Sequence, residues 1–434
     1  MKKIKPELKN IIVKILFWQS KRILKKYKPK IVAITGSVGK TSTKDAIFTV
    51  ISAFKSVRKS EKSFNSEIGL PLTIIGVPNA WSSILGWMEN LAKGFALIIF
   101  KYDYPEWLVL EVGAGKPGDI TSVAPWLSPD IVVITHFPDR PVHVEFFDGV
   151  DKIIEEKSAL AHAVKKDGLL ILNHDDEKVY ALHKKVKSRV VSFGTNDLAT
   201  YNASNIGVSI EGAHRGIPKG IAFKLRYNGN VFPVNMPHII GEHYISSALA
   251  AIAVAEEVGC DILKSISELA NYDTPPGRMS LISGVNDSYI VDDTYNSSPL
   301  AVSAALKFMH DVKGGRKIVV LGDMLELGKI AEESHREIGV MASRVADMII
   351  TVGPRSKFIA EGALEAGFPQ KEIYSFDSSV TCGKFLSGVV EKGDVILLKG
   401  SQGVRLEKAV KMIMSNPADA PKLLCRQEKQ WENR

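Results

Sequence analysis

The run Thr35-Gly36-Ser37-Val38-Gly39-Lys40-Thr41-Ser42 constrains this chain more than any other stretch. It follows Ile31-Val32-Ala33-Ile34, a β-branched segment that reads as a buried strand, and a helical pattern runs on from Thr41 to Ala53. Strand, glycine loop and helix in that order open a parallel α/β domain. Glycines let backbone N–H groups close on a phosphate, a helix N-terminus favours its charge, a lysine reaches the β/γ oxygens and a hydroxyl holds Mg²⁺. Here Gly36 and Gly39 shape the loop, Lys40 supplies the charge and Thr41 is the candidate Mg²⁺ ligand, with Ser37, Val38 and Ser42 completing the nucleotide-binding run. The spacing is G-x-x-G-K-T, tighter than the common G-x-x-x-x-G-K-[ST]. Such a loop says only that a nucleotide binds; a motor, a small-molecule kinase and a ligase would all carry one.

The rest of the chain supplies the organisation. Trp107 to Leu110, Ile131 to Ile134 and Leu169 to Leu172 are short apolar runs that read as buried strands. Residues 199–236 alternate and contain Asn228-Gly229, which predicts antiparallel strands, and Tyr244 to Val258 reads as a helix. Thr274-Pro275-Pro276-Gly277 breaks the chain. Beyond it Tyr289 to Val291, Lys317 to Leu321, Met348 to Val352 and Val395 to Lys399 restart the strand and helix alternation. The expected architecture is α/β. A basic amphipathic segment (1–30) precedes a central ATP-binding domain with a mostly parallel sheet (31–275). A smaller Rossmann-like α/β domain with a basic tail follows (276–434).

The net charge of +8 fits phosphorylated substrates, an anionic surface or nucleic acid. The basic residues are dispersed and no basic motif interleaved with aromatics is present, so nucleic acid is not an expected partner. Cys260, Cys382 and Cys425 have no zinc spacing and no pairing framework, which fits a reducing cytoplasm. No cleavable signal peptide is evident. The lysines and apolar residues of the first thirty positions suit either an interfacial helix, with Ile15, Trp18, Ile23 and Leu24 on one face, or a helix packed on the next domain. The apolar stretch Trp81 to Phe100 is interrupted by Glu89, Asn90 and Lys93 and is a poor membrane span.

Eight blocks in order resemble the Mur ligases, and within them the MurF type. They are the phosphate loop, Ser63-Phe64-Asn65-Ser66-Glu67-Ile68-Gly69-Leu70-Pro71-Leu72, Leu110-Glu111-Val112-Gly113-Ala114 with Pro117-Gly118-Asp119-Ile120, and Leu172-Asn173-His174-Asp175-Asp176. Then come Pro276-Gly277-Arg278, Asp292-Asp293-Thr294-Tyr295-Asn296, Leu321-Gly322-Asp323-Met324-Leu325-Glu326-Leu327-Gly328 and Lys399-Gly400-Ser401. The resemblance implies an ATP- and Mg²⁺-dependent ligase that activates a carboxylate as an acyl phosphate and joins it to an amine. It implies Glu111 and His143 as metal ligands, and Lys157 as the carbamylated lysine that helps hold a second Mg²⁺. Arg278 would reach the γ-phosphate, Asp293 the ribose or its surroundings, and His243 would lie near the nucleotide. Asn296, Asp323, Leu325 and Glu326 would line the amine site. The implied substrates are a muropeptide-like acceptor and a D-alanyl-D-alanine-like amine, and the implied protein is a cytoplasmic monomer.

Several positions depart from the family pattern. Residues 1–30 are too few for the front domain that grips a UDP-linked acceptor, which opens the alternative of a membrane-held acceptor or a different tag. The loop Thr135-His136-Phe137-Pro138-Asp139-Arg140-Pro141-Val142-His143 is longer than "TNIxxxH", with His136 in place of the asparagine and as the alternative metal ligand to His143. The adenine-side "HNxxNA" reads His243-Tyr244-Ile245-Ser246-Ser247-Ala248. Two unusual apolar segments in one chain suggest peripheral membrane contact at the inner face. A ligase adding an amino acid to another acceptor and a non-catalytic Mur-like binding protein are the competing readings.

Overall fold

The computed structural model describes residues 6–61, 68–80, 83–137, 147, 149–211, 217–237, 239–313, 315–427 and 431. It divides into two compact units. The first comprises Met1–Asn205, Phe223–Val234 and His243–Tyr272, and the second comprises Ile206–Ala222, Asn235–Glu242 and Asp273–Arg434.

The first unit begins with α1 (Pro6–Tyr27), which leads into β1 (Lys30–Thr35) and α2 (Lys40–Ser52). Then come β2 (Val57–Lys59), α3 (Gly69–Ile75), α4 (Ile84–Ile99), β3 (Trp107–Glu111), β4 (Ile131–Ile134), β5 (Leu169–Asn173) and β6 (Arg189–Gly194). The nine-stranded sheet runs β2-β3-β1-β4-β5-β6 and continues with β7 (Tyr201–Glu211), β8 (Ile217–Tyr227) and β9 (Asn230–Pro237). Strands β1 to β6 pair in parallel, and β1, β3, β4 and β5 carry the almost unbroken apolar runs that burial on both faces requires. Asn228 and Gly229, both at positive φ (49° and 77°), join β8 to β9 in a two-residue turn that only antiparallel neighbours share.

One face of this sheet, including Ala33, Leu108, Leu110, Val132, Leu170 and Leu172, packs under Leu16, Ile23, Leu72 and Trp87. Thus α1 and α4 belong to the core of the first unit. The expected face of Ile15, Trp18, Ile23 and Leu24 does not exist as such. Ile23 is buried and Trp18 exposed, because Ile12, Leu16 and Ile23 form the inward stripe and turn Ile11, Trp18 and Arg22 outward.

In the second unit the sheet order is β10-β11-β15-β12-β13-β14. Its strands are β10 (Ser280–Ser283), β11 (Tyr289–Asp293), β12 (Lys317–Gly322), β13 (Met348–Val352), β14 (Ile373–Phe376) and β15 (Val395–Lys399). Only β10 is antiparallel to its neighbour, and the other pairs are parallel. Its core gathers Ile290, Ile318, Val320, Ile350, Ile396 and Leu398 under Leu406 and Val410. The strands absent from the sequence reading, β2, β6, β10 and β14, are short or half-exposed edge and flanking strands, whose apolar runs are broken by Arg, Lys or Ser.

Candidate active site

Strand β1 lies between β3 and β4, so successive strands are added first on one side of it and then on the other. In open parallel sheets the loops at the carboxyl ends of strands at such a point form the ligand crevice. Three loops leave there, after Thr35, Glu111 and Ile134.

The loop after Thr35 is the phosphate loop. Gly36 has φ 141°, and a Cβ at this position would lie 2.1 Å from the Thr135 hydroxyl, so no side chain fits. Gly39, at φ 83°, caps α2 in the left-handed conformation, and the helix begins at Lys40. The loop after β4 staples this turn in place. Thr135 Oγ1 donates to the Val38 carbonyl at 2.5 Å, and the Ser37 N–H donates to the His136 carbonyl at 2.8 Å.

The Thr41 hydroxyl donates to Glu111 Oε2 at 2.9 Å. Glu111 is the last residue of β3 and is buried. A hydroxyl and a carboxylate brought together at a helix N-terminus are the hard oxygen donors that Mg²⁺ takes, so the residues present fit that ion. On the other side of the loop, Lys40 Nζ and Lys157 Nζ both donate to the Gly36 carbonyl at 3.0 Å, and Lys157 also donates to Ser37 Oγ at 3.1 Å. Burial, and then the neighbouring charge of Lys40, push the Lys157 amine down from 10.5 to about 7.

Lys157 stands on the helix Val150–His162 beside Glu156, which faces a different loop. The Glu156 carboxylate accepts the N–H groups of Gly118 (3.1 Å), Ile120 (2.6 Å) and Thr121 (2.9 Å), and the Thr121 hydroxyl (2.8 Å). Burial alone would raise its carboxyl, but these donors hold it below the ordinary value. Adjacent residues of one helix therefore fix the phosphate loop and the loop that follows β3.

His136 is exposed, and its Nδ1 lies 2.6 Å from Asp176 Oδ2. The same carboxylate oxygen accepts the Phe137 N–H at 2.6 Å, and Oδ1 caps the helix Glu177–Tyr180 through the Val179 N–H. Against the opposing effect of burial, His136 and these two N–H groups hold the Asp176 carboxyl below its ordinary value. His143 lies outside the described residues, as do Ser63 to Glu67 of the second resemblance block.

His243 opens the helix His243–Glu257, exposed, with its ring 4.2 Å from that of Tyr244. This helix packs along α2, where the Ser247 and Thr43 hydroxyls meet at 3.1 Å. Tyr244 and Ser247, which replace the asparagines of the adenine-side motif, are both buried.

In the second unit the Arg278 guanidinium lies over the Tyr295 ring, 4.3 Å from its centroid. Asp293 is paired with the buried Lys399 at 2.6 Å, and Lys399 Nζ also donates to the carbonyl of the exposed Asn296 at 3.1 Å. Asp323 is buried, and its Oδ1 accepts the N–H groups of Arg355 (2.9 Å) and Ser356 (2.7 Å). The Met324 N–H donates to His335 Nε2 at 3.0 Å and the Leu325 N–H to Ser401 Oγ at 2.9 Å. These bonds hold the 323–328 loop from below and leave Glu326 exposed at φ 65°. Beside Asp293, the Asp292 side chain is fully buried. Burial, with smaller effects from Asp293 and Glu407, raises it to about 7 against the hydrogen bonds it accepts from Thr294.

The structure thus brings Gly36 to Ser42, Glu111 and Lys157 together in the first unit, and gathers Asp293 and Asn296 around Lys399 in the second. Sequence reasoning gave no role to Thr135, Glu156, Asp176 or Asp292. Thr135 and Asp176 stood inside quoted motifs, whereas nothing in the spacing marks Glu156 as a loop clamp.

The Mur ligase middle domain matches residues 34–255, and the Mur ligase glutamate ligase domain matches residues 277–402. The chain belongs to the Mur ligase family. Mur ligases are ATP-dependent, and this chain is an ATP-dependent ligase. It is 31% identical to the UDP-N-acetylmuramoyl-tripeptide--D-alanyl-D-alanine ligase of Bacillus subtilis (strain 168) over 92% of this chain and 79% of that protein. The Escherichia coli (strain K12) ligase of the same name is 26% identical over 89% of this chain and 77% of its own. Among solved Mur ligases, MurF of Thermotoga maritima in complex with ADP superposes with a TM-score of 0.70 at 26% identity, covering 92% of this chain and 83% of that one. MurF of Acinetobacter baumannii shares the fold, with a TM-score of 0.74 at 23% identity over 91% of this chain and 79% of that one.

Proposed function

We propose that this ligase joins a D-alanyl-D-alanine-like dipeptide to the terminal carboxylate of a muropeptide precursor, acting as a monomer in the cytoplasm. The relatives' names supply the substrate class. The observation that carries the chemistry is the convergence of Lys40 and Lys157 on one carbonyl of a phosphate loop whose Thr41 already meets Glu111. In the proposed sequence an acceptor carboxylate oxygen attacks the γ-phosphorus of ATP and ADP leaves. The amine nitrogen then attacks the acyl carbon, expelling inorganic phosphate and losing a proton as the amide forms.

Lys40 offsets the charge that builds on the γ-phosphate. Thr41 and Glu111, with His143 and a carbamylated Lys157, would hold Mg²⁺, which supplies Lewis-acid neutralisation of the phosphate oxygens. Carbamylation starts from a neutral amine, and the lowering of the Lys157 amine to about 7 leaves a large share of it neutral near physiological pH. His243 serves the nucleotide side. Arg278 and Asp293 of the second unit engage ATP, and Asn296, Asp323, Leu325 and Glu326 frame the amine site.

The test is phosphate release from Mg-ATP with UDP-muramoyl-tripeptide and D-alanyl-D-alanine, together and singly. Release that needs both substrates and falls at least about a hundredfold in Lys40→Ala supports the reading. Tight Mg-ATP binding without release on any muropeptide would overturn the acceptor and leave the ligase chemistry.

A further inference from the structure

Helix α4 is apolar on its outward face as well as on the face of Trp87 and Leu97 that enters the core. Leu85, Met88, Ala92, Phe95 and Ile99 recur at helical spacing, and all are exposed. Leu85 is 77% exposed, Ile99 68%, Met88 61% and Phe95 43%. The stripe continues onto α1, where Trp18 (45% exposed) meets the Phe95 ring at 5.9 Å and Ile11 is 54% exposed. Single exposed apolar residues are ordinary, whereas a run along a helix of roughly 24 Å that extends onto its neighbour marks an interaction surface.

Two observations say what covers it. The first is charge. Helix α1 carries six lysines and arginines against one acidic residue, Glu7, and Lys14, Lys21, Arg22, Lys25 and Lys26 are exposed around the apolar face. The Arg22 guanidinium lies 5.6 Å from the centroid of the Trp18 ring, the arrangement of an aromatic anchor with a cationic neighbour. The second is rigidity. Gln19 Nε2 donates to the Leu91 carbonyl at 2.8 Å, and a Cβ at Gly94 would lie 2.3 Å from the Gln19 side chain, so the helices touch closely. Lys26 Nζ donates to the α4 carbonyls of Leu97 (2.9 Å) and Ile98 (3.0 Å) and to that of Phe100, closing the carboxyl end of α4. The apolar face is therefore preformed. No helix among the described residues is long and apolar enough to cross a membrane.

From this we infer that the joint face of α1 and α4 docks on an anionic lipid bilayer. Leu85, Met88, Phe95, Ile99 and Trp18 enter the interfacial layer, and Lys14, Lys21, Arg22 and Lys25 face the lipid phosphates. The docking lies outside the ligase reaction, so turnover on soluble substrates does not depend on it.

The test is flotation of the full chain with vesicles of phosphatidylcholine alone and of phosphatidylcholine containing about one-third phosphatidylglycerol. Binding to the anionic vesicles, weakened by salt, is expected. It should fall at least about tenfold both in the triple variant Leu85→Ser/Met88→Ser/Ile99→Ser and in Lys14→Glu/Lys25→Glu. Thermal melting and ATP turnover of each variant should match the parent, because every altered side chain is exposed. Absence of binding, or equal binding to the uncharged vesicles, overturns the inference. So does a dimer in analytical ultracentrifugation that the triple variant dissociates while the parent ignores vesicles, since a second copy of the chain would then cover the face.

Discussion

Asp176 holds His136 by its Nδ1 at 2.6 Å, and the backbone of the same histidine accepts the Ser37 N–H of the phosphate loop at 2.8 Å. A carboxylate on one ring nitrogen fixes the orientation and tautomer in which the other is presented. Asp176→Asn should therefore weaken Mg-ATP binding by about tenfold. It should also lower stability by about 1–3 kcal/mol through the Phe137 and Val179 N–H groups that it serves. Calorimetric titration with a non-hydrolysable ATP analogue, beside urea unfolding, separates the two effects. Unchanged affinity would show that the His136 pairing is structural alone.

The Lys157 amine predicts a pH dependence of stability whose sign follows from its depressed value. Below about 7 the group is protonated in both folded and unfolded chains, and the folded protein bears a buried charge. Between about 7 and 10.5 the folded amine is neutral while the unfolded one still holds its proton. The unfolded state then binds more protons, so stability rises with pH across that window. Lys157→Met should flatten the rise in carbonate-free buffer, as read by urea midpoints.

Carbamylation of the same residue carries its own signature. With ¹³C-bicarbonate, a carbamate carbon resonance should appear above pH 7 in the parent and be missing in Lys157→Met. Activity in carbonate-free buffer should fall by about tenfold or more and return on adding bicarbonate. A parent that keeps full activity without carbonate would remove Lys157 from the metal site.

Asp292 gives the opposite slope. Its carboxyl, raised from 3.8 to about 7 by burial, binds more protons in the folded than in the unfolded chain between those values. Its contribution is thus fully present below 3.8 and lost as pH rises towards 7. Asp292→Asn should be more stable than the parent at pH 8, and the gap should close or reverse towards pH 4. Paired thermal melts across that range check it.

Gly36→Ala should destroy the phosphate loop, because its Cβ would fall 2.1 Å from Thr135 Oγ1 at a φ of 141°. The expected loss of ATP turnover is about a hundredfold or more, with a stability cost of about 1–3 kcal/mol. Thr135→Ala removes the clashing hydroxyl and leaves the backbone strain, so the double variant should recover part of the stability and little of the turnover.

The parallel strands and the phosphate loop were legible in the sequence because Ile31 to Ile34, Ile131 to Ile134 and Leu169 to Leu172 are buried on both faces, and glycine and lysine spacing reports backbone geometry directly. Thr41 was marked by the loop spacing, and Glu111 by its place after the strand Trp107 to Leu110 in a block that resembles the Mur ligases. Other features depended on tertiary packing. Glu156 and Lys157 are consecutive charges on one helix, and nothing in their order tells which loop each will meet. Trp18 and Ile23 looked alike as apolar residues of one helix. Only the position of α3, α4 and the sheet decides that Ile23 is covered and Trp18 is not.

Helix α1 ends at Tyr27 and β1 begins at Lys30, so two residues separate the basic helix from the strand that delivers Gly36. That strand is six residues long, about 20 Å. It acts as a ruler, because no flexible tether intervenes between the apolar face and the phosphate loop. Wherever α1 is held, the phosphate loop is therefore held with it, at a separation set by two linking residues and one strand rather than by a loop.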